Sequence, residues 1–154
     1  MVFDSTYQTN TLCLPLACFV GITGNGRTVL LACALITDET TDTYDWVFGK
    51  LVDMAGAPTV IMTDQDLAII TSIEAILPAT THKLCTWHMN KNLVKNLGGK
   101  TEKRKFALGT FSNLIFNAEL SEIEFEVEWG KLKSCFENDS SKCSSVRMRY
   151  LNSL

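Results

Sequence analysis

The stretch Thr59-Val60-Ile61-Met62-Thr63-Asp64-Gln65-Asp66, which follows Pro58, decides how the rest of this chain is interpreted. Its short apolar run ends in two carboxylates, a pattern typical of a buried parallel strand whose carboxyl end carries acidic side chains. The rigid strand fixes the direction of Asp64, and the loop that follows leaves room for a ligand beside it. We therefore expect Asp64 to belong to a functional site.

Composition and charge exclude several classes of protein. The 154 residues suffice for one domain with a hydrophobic core, and an apolar fraction of 46% is ordinary for a globular protein. The net charge of -3 argues against the uniformly basic surface of a self-sufficient nucleic-acid-binding protein. The six cysteines lack the dense spacing of a secreted disulfide scaffold, which indicates reduced thiols and an intracellular protein. The most apolar early segment, 12–22, is too short to span a bilayer, so no membrane association is expected.

Three strands are predicted before the central stretch. Residues 2–4 form the end of a first strand, which places Asp4 at its tip and indicates that the element is cut at its beginning. The apolar runs 15–23 and 28–36 meet at Gly24-Asn25-Gly26, and an Asn-Gly pair between two such runs is the strongest short signal for a hairpin. The chain therefore begins with antiparallel strands.

Helical spacing appears on both sides of the central stretch. The first apolar stripe comprises Tyr44, Val47, Phe48, Leu51, Val52 and Ala55. Thr41 is its expected N-cap, and Gly56 ends the helix. A second stripe runs from Ile69 to Leu77, with Asp66 as its expected N-cap. A short strand over 81–87 and a basic helix over 88–97 complete the order βββαβαβα.

This order is that of an RNase H-like α/β fold with a mixed sheet, in which the first and fourth strands lie side by side. Asp4 and Asp64 would then be neighbours. Two carboxylates about 4 Å apart repel each other by roughly 4 kcal/mol at an effective dielectric of 20, so the pair requires a cation unless one is protonated. Oxygen ligands favour Mg²⁺ or Mn²⁺, and two such ions can promote attack on a phosphodiester.

The domain organisation is expected to change after the basic helix. We assign residues 1–99 to the RNase H-like core, 100–136 to the beginning of an all-helical insertion and 137–154 to a poorly ordered tail. Phe125 and Trp129 have helical spacing and are expected in a core.

Several motifs together resemble the Mutator-like element (MULE) transposase domain and the plant regulators domesticated from it. They are Asp4-Ser5-Thr6-Tyr7-Gln8-Thr9-Asn10, Pro15-Leu16-Ala17-Cys18-Phe19-Val20-Gly21, Ala32-Cys33-Ala34-Leu35-Ile36, Thr63-Asp64-Gln65-Asp66 and Cys85-Thr86-Trp87-His88. The resemblance spans roughly residues 4–97. It implies a DDE transposase core that cleaves DNA and transfers strands with two Mg²⁺ or Mn²⁺ ions, in the nucleus.

The resemblance also assigns individual residues. Asp4 and Asp64 match the first and second acidic metal ligands, and Cys85 and His88 match the family's Cys-x-x-His. No glutamate follows the motif of the third acidic residue, so the chain is expected to be a fragment that is inactive alone. DNA would be bound through parts of the protein missing here, and a homo-oligomer is a further option.

Alternatives remain for each assignment. Cys85 and His88 have the spacing of half a zinc site, but no second pair with suitable spacing follows, so zinc is not expected. The basic residues Lys91, Lys95, Lys103, Arg104 and Lys105 suit either contacts with the DNA backbone or a solvated helix face. Trp87 is expected in the core. The rival functions are a domesticated DNA-associated regulator without catalysis and a nuclease unrelated to transposons.

Overall fold

Five strands and five helices make up the described residues, 1–6, 10–96 and 102–137, of a computed structural model. In chain order they are β1 (Val2–Thr6), β2 (Leu16–Ile22), β3 (Thr28–Leu35), α1 (Thr41–Ala55), β4 (Val60–Thr63), α2 (Leu67–Ile76), β5 (Thr81–Leu84), α3 (Thr86–Asn96), α4 (Glu102–Phe116) and α5 (Glu122–Glu137). The predicted order βββαβαβα is confirmed. Of the tail predicted over 137–154, Glu137 is the last residue of α5, and residues 138–154 lie outside the described residues.

The chain divides into two compact units, one from Met1 to Cys85 and the other from Thr86 onward. The first unit contains the whole sheet, and the second contains α3, α4 and α5. The domain boundaries after residues 99 and 136 stay predictions.

The sheet of the first unit has the order β3-β2-β1-β4-β5. β1 is antiparallel to β2, and β2 is antiparallel to β3, whereas β4 is parallel to both β1 and β5. The predicted neighbourhood of the first and fourth strands is thereby confirmed.

The predicted hairpin joins β2 to β3 through a three-residue loop. The Gly26 N–H donates to the Thr23 carbonyl oxygen at 2.8 Å, and the Thr23 N–H donates to the Arg27 carbonyl oxygen at 2.9 Å. Gly26 has a φ of 75°, which a residue without Cβ adopts at no steric cost. The loop is therefore a turn that closes on a left-handed glycine, the usual three-residue hairpin connection.

The core lies on one face of the sheet, beneath α1 and α2. Phe3 of β1 is 1% exposed, and its ring centroid lies 4.8 Å from that of Phe19 and 4.9 Å from that of Phe48. Ile69 and Ile73 of α2 are buried in the same cluster. Both predicted apolar stripes therefore face the sheet, and together they fix the positions of the strand ends.

The start of α1 differs from the prediction, because Thr40 and not Thr41 is the N-cap. The Thr43 N–H donates to the Thr40 hydroxyl, and the Asp38 carboxylate accepts from the hydroxyls of Thr40 and Thr43 at 2.6 Å each. These hydrogen bonds lower the pKa of Asp38 to about 2. The network orients the Thr40 hydroxyl for capping. The sequence pattern alone does not show whether Thr40 or Thr41 is the N-cap. Asp66 caps α2 as predicted, accepting from the N–H groups of Ala68 and Ile69.

The predicted strand over 81–87 is too long, since β5 ends at Leu84 and α3 begins at Thr86. Trp87 therefore lies in the first turn of a helix, and the prediction that it belongs to the core is wrong because its side chain is 60% exposed. The Lys91 ammonium lies 4.7 Å from the centre of its ring, a cation–π contact that suits an exposed indole. The glycines predicted to close this helix, Gly98 and Gly99, lie outside the described residues.

The second unit is helical, as predicted for its described part. α4 buries Ala107, Phe111 and Leu114, and α5 buries Trp129 and Leu132. Trp129 thus occupies a core position as expected. No helix among residues 1–6, 10–96 and 102–137 has both the length and the apolar character needed to cross a membrane.

Candidate active site

Asp4 lies on β1, and Asp64 directly follows β4, the parallel neighbour of β1. Val2 of β1 pairs with Met62 of β4, and Asp4 and Asp64 each lie two residues beyond this pair, at the same end of the two strands. Neighbouring backbones in a sheet are about 4.8 Å apart. Both aspartates are partly buried. The structure therefore brings together the two acidic residues that the sequence places sixty positions apart.

The pleat of β1 separates the core from the candidate site. Phe3 packs against Phe48, and Ser5 contacts the Tyr44 hydroxyl, so both side chains point towards α1. Asp4 lies between them and, because side chains alternate along a strand, points to the opposite face of the sheet. Its cross-strand partner there is Cys18. Burial raises the pKa of the Cys18 thiol, and the neighbouring Cys33 and Asp4 raise it further.

Hydrogen bonds of the Thr63 hydroxyl to the Asp64 carbonyl oxygen and to His82 fix the backbone at Asp64. The Thr63 hydroxyl donates to the Asp64 carbonyl oxygen at 2.8 Å and lies 2.8 Å from His82 Nε2. Since its one proton is engaged by Asp64, the hydroxyl accepts from a protonated Nε2. Burial lowers the pKa of His82. This favours a neutral ring that carries the proton required at Nε2.

The Asp64 side chain is oriented by the loop that follows it. The Asp66 N–H donates to Asp64 Oδ1 at 3.2 Å. The Asp66 carboxylate instead accepts from two N–H groups of α2, the nearer at 2.8 Å. Asp66 therefore serves as the helix cap that the sequence predicts, and its Oδ1 accepts both backbone N–H groups.

A second polar cluster, which the sequence did not reveal, comprises Ser5, Glu39 and Tyr44. Glu39 Oε1 accepts from Ser5 Oγ at 2.6 Å and from the Tyr44 hydroxyl at 3.4 Å. Burial strongly raises the pKa of Tyr44, and the carboxylates of Glu39, Asp66 and Asp64 raise it further, whereas the Ser5 hydrogen bond lowers it. Tyr44 thus remains a protonated donor close to the acidic strand ends. Its spacing along α1 predicted only a core residue, because helical periodicity carries no information about the hydroxyl group.

The donor set at the strand ends consists of two carboxylates. Within the described residues, no three His, Cys, Asp or Glu side chains are grouped so as to hold a metal ion. Mg²⁺ commonly keeps several water ligands and uses one or two carboxylates together with substrate phosphates. The chemistry of Asp4 and Asp64 therefore fits a hydrated Mg²⁺ or Mn²⁺ ion, and a third protein ligand is not among the residues described.

Cys85 belongs to the first unit and His88 to the second. Cys85 is partly buried directly after β5, where its N–H donates to the Thr63 carbonyl oxygen at 2.6 Å. It thus continues the pairing of β5 with β4 beside the residue that supports Asp64. His88 lies in the first turn of α3, and its ring contacts the edge of Trp87 with centroids 4.6 Å apart.

The basic residues lie on the two helices that begin the second unit. Lys91 and Lys95 are exposed on α3, and Lys103 and Lys105 are exposed on α4. Arg104 is partly buried between the latter two. The Lys105 ammonium lies 2.7 Å from the Glu102 carboxylate, and both side chains are exposed. A DNA phosphate could therefore readily replace Glu102 as the partner of Lys105.

The strand order, with Asp4 on β1 and Asp64 directly after its parallel neighbour β4, defines an RNase H-like α/β domain with acidic residues at adjacent strand ends. Residues 1–92 match the MULE transposase domain family. The chain belongs to this family, as the motifs quoted above predicted.

Relatives with similar sequences are plant proteins. The chain is 33% identical to Protein FAR-RED IMPAIRED RESPONSE 1 of Arabidopsis thaliana over 89% of its own length and 17% of that protein. It is 37% identical to Protein FAR1-RELATED SEQUENCE 4 of the same plant over 84% of its own length and 18% of that protein. The chain therefore corresponds to less than one fifth of these relatives.

Among solved structures, the chain matches the HTLV-2 integrase catalytic core domain in complex with magnesium, in its dimeric form. The match has a TM-score of 0.37 and 14% sequence identity, and it covers 92% of this chain and 89% of that chain. A second match, to the simian T-cell lymphotropic virus intasome, has a TM-score of 0.39 and 14% identity, and it covers 79% of this chain and 50% of that one.

Proposed function

We propose that this chain carries part of the catalytic site of a Mutator-like DDE transposase, in which Asp4 and Asp64 bind Mg²⁺ or Mn²⁺ and direct it to a DNA phosphodiester. The observation that supports this proposal best is the pairing of Val2 with Met62, because it makes the two aspartates neighbours at the ends of parallel strands. Two half-buried carboxylates at this spacing disfavour each other unless a cation lies between them.

Each neighbouring residue has a defined part in this proposal. Asp4 and Asp64 hold the cation, while Thr63 and His82 fix the backbone that aims Asp64. Tyr44 keeps its proton and hydrogen-bonds with Ser5 and Glu39, which holds the end of β1 against α1. A bound divalent ion supplies the activation of a water or a 3′-hydroxyl and stabilises the leaving oxygen. Since two-metal chemistry depends on fixed geometry, two protein ligands alone support slow cleavage at most.

DNA is the substrate class that fits this chemistry, and the nucleus is the corresponding location. Lys91, Lys95, Lys103, Arg104 and Lys105 are our candidates for contacts with the phosphate backbone. Each phosphate contact releases counterions, so replacing one of these residues should weaken binding for all sequences alike and reduce its salt dependence.

Metal binding can be tested by Mn²⁺ titration followed by electron paramagnetic resonance. We expect the unaltered chain to bind Mn²⁺ and the variants Asp4→Asn and Asp64→Asn each to lose most of this binding, because each keeps one of two carboxylates. Asp53→Asn is the matched control, since Asp53 is exposed on α1, where its carboxylate contacts Lys50. Equal binding by all four proteins would contradict the proposed metal site.

Catalysis requires a separate measurement. Supercoiled plasmid incubated with the chain and Mn²⁺ should be nicked slowly, and both aspartate variants should abolish the nicking while Asp53→Asn retains it. Joining of 3′-hydroxyl ends to the plasmid would distinguish a transposase from a simple nuclease. Nicking that persists in both aspartate variants would indicate a contaminating nuclease and refute the assignment.

A DNA-associated regulator without catalysis is the second candidate function. It is favoured by the similarity to FAR-RED IMPAIRED RESPONSE 1 and its relatives, which the chain matches over most of its own length. This function predicts DNA binding that is unchanged in Asp4→Asn and Asp64→Asn and that requires no divalent metal. A fluorescence anisotropy titration of labelled duplex DNA with and without Mn²⁺ separates the two candidates.

A further inference from the structure

An exposed stripe runs along the outer flank of α1. Asp42, Trp46, Lys50 and Met54 follow one another at intervals of four residues, so they share one side of the helix. The Trp46 side chain is 56% exposed and that of Met54 is 78% exposed. The stripe therefore presents two large apolar groups with the charged Lys50 between them.

The stripe borders a groove between α1 and the edge strand β3. The groove has a volume of about 480 Å³ and is lined on the strand side by Leu31 and on the helix side by Trp46, Lys50 and Met54. Leu31 is 53% exposed. β3 carries no charged residue over its eight positions and has no neighbour on its outer side within the sheet, although such edges are usually protected by charge or by covering. The groove therefore has the character of an unfilled apolar interface.

The charges of the stripe are self-complementary. Asp42 precedes Trp46 by four residues, and Lys50 follows it by four. If a second copy of α1 is placed antiparallel with Trp46 on the twofold axis, Asp42 of each copy lies opposite Lys50 of the other. The two attractive pairs are then roughly 12 Å apart along the helix, one at each side of the paired indoles.

The surface around Trp46 also has the shape needed for close approach. Gly49, one turn further along α1, has no atom within 4 Å of the position a Cβ would occupy. A neighbouring indole can therefore approach the backbone there. Ridges formed by residues four apart pack into the equivalent grooves of a second helix, which is the commonest mode of helix packing. The Lys50–Asp53 contact at 3.2 Å is exposed on both sides, so Lys50 can exchange it for a new partner at little cost.

We propose that the groove between α1 and β3 binds the same groove of a second copy of this chain, forming a twofold-symmetric dimer through antiparallel α1 helices. A second copy is the occupant that matches both charges of the stripe at once, because an isologous interface requires a self-complementary surface. Because the contact involves one flank of a single helix and one edge strand, we expect a small interface and a weak dimer that depends on concentration. The proposal is independent of metal binding and catalysis.

Sedimentation velocity over a wide concentration range tests the dimer. We expect the 154-residue chain to shift towards twice 17.1 kDa as its concentration rises. Trp46→Glu should abolish the shift, whereas Trp87→Glu should retain it, since Trp87 is comparably exposed at 60% but lies outside the groove. A wild-type chain that stays monomeric throughout, or a Trp46→Glu variant that associates like wild type, would overturn the proposal.

Mixing two charge variants provides a test that does not depend on the tryptophan. Asp42→Lys and Lys50→Asp should each weaken self-association roughly 30-fold, because two attractive pairs become two repulsive ones. In an equimolar mixture both pairs of the mixed dimer are attractive again, so association should return. A mixture that associates no better than either variant alone would refute the antiparallel arrangement, and association through an unrelated surface would leave both single variants unimpaired.

Discussion

Replacing Thr63 by valine tests whether the hydrogen bonds of the Thr63 hydroxyl fix the backbone at Asp64. Thr63 is 1% exposed, and its hydroxyl joins the Asp64 carbonyl oxygen to His82 Nε2 at 2.8 Å each. Valine has nearly the same shape but lacks the hydroxyl. The substitution therefore removes two hydrogen bonds while leaving the packing of β4 largely unchanged.

The expected loss of stability follows from the groups left without partners. A buried polar group without a hydrogen bond costs about 1–3 kcal/mol, and His82 is only partly buried, so part of its loss is restored by water. We expect Thr63→Val to lower the free energy of unfolding by about 2 kcal/mol. For a domain of the size of the unit Met1–Cys85, this corresponds to a fall in Tm of roughly 8–16 °C.

Urea unfolding followed by circular dichroism measures this loss, with Thr71→Val as the matched control. The Thr71 hydroxyl donates to the Leu67 carbonyl oxygen at 2.8 Å but lies on the exposed side of α2, so its removal should change stability by less than about 0.5 kcal/mol. If Thr63→Val were as stable as wild type, or if both variants lost the same stability, the inferred role of the Thr63 hydroxyl would be incorrect. The same variant should also weaken Mn²⁺ binding, since Asp64 would no longer be held in position.

Two further predictions concern the first unit. Burial lowers the pKa of His82 below its ordinary value of 6.5, so the neutral ring stabilises the fold above that pH and this stabilisation is lost as the pH falls. His82→Gln should therefore reduce the difference in unfolding free energy between about pH 7.5 and about pH 5.5. Phe48→Ala should destabilise the unit by about 3–5 kcal/mol, because Phe48 is 0% exposed and contacts Phe3 and Phe19; a loss below about 1 kcal/mol in urea unfolding would contradict the assigned core.

The main features of the fold were predictable because they follow from short patterns in the sequence. The apolar run before Asp64, the stripe that includes Phe48 and the Asn-Gly turn each identify their own element without reference to the rest of the chain. Element order then limits the topology to very few arrangements. The neighbourhood of Asp4 and Asp64 followed from that topology, although the chain between them contains three strands and a helix.

The supporting residues were not predictable for a physical reason. Ser5, Glu39 and Tyr44 meet only after the sheet and α1 have packed, and the Thr63–His82 contact joins two different strands. Side-chain hydrogen bonds between distant residues leave no periodic signal in the sequence.

The boundary between β5 and α3 was misplaced for a different reason. Cys85-Thr86-Trp87 has the composition of a strand end, but helix formation begins at Thr86. For so short an apolar run, composition alone does not distinguish the end of a strand from the first turn of a helix.

The pleat of β1 has a consequence for how this family can evolve. Phe3 and Ser5 point towards α1, whereas Asp4 points to the opposite face of the sheet. A substitution at Asp4 can therefore leave the packing of Phe3 and Ser5 unchanged. If Asp4 binds the cation as proposed, a lineage can lose DNA cutting through one substitution there and keep an intact scaffold. Descendants that have lost the chemistry should then retain an aromatic residue at position 3 more often than an acid at position 4.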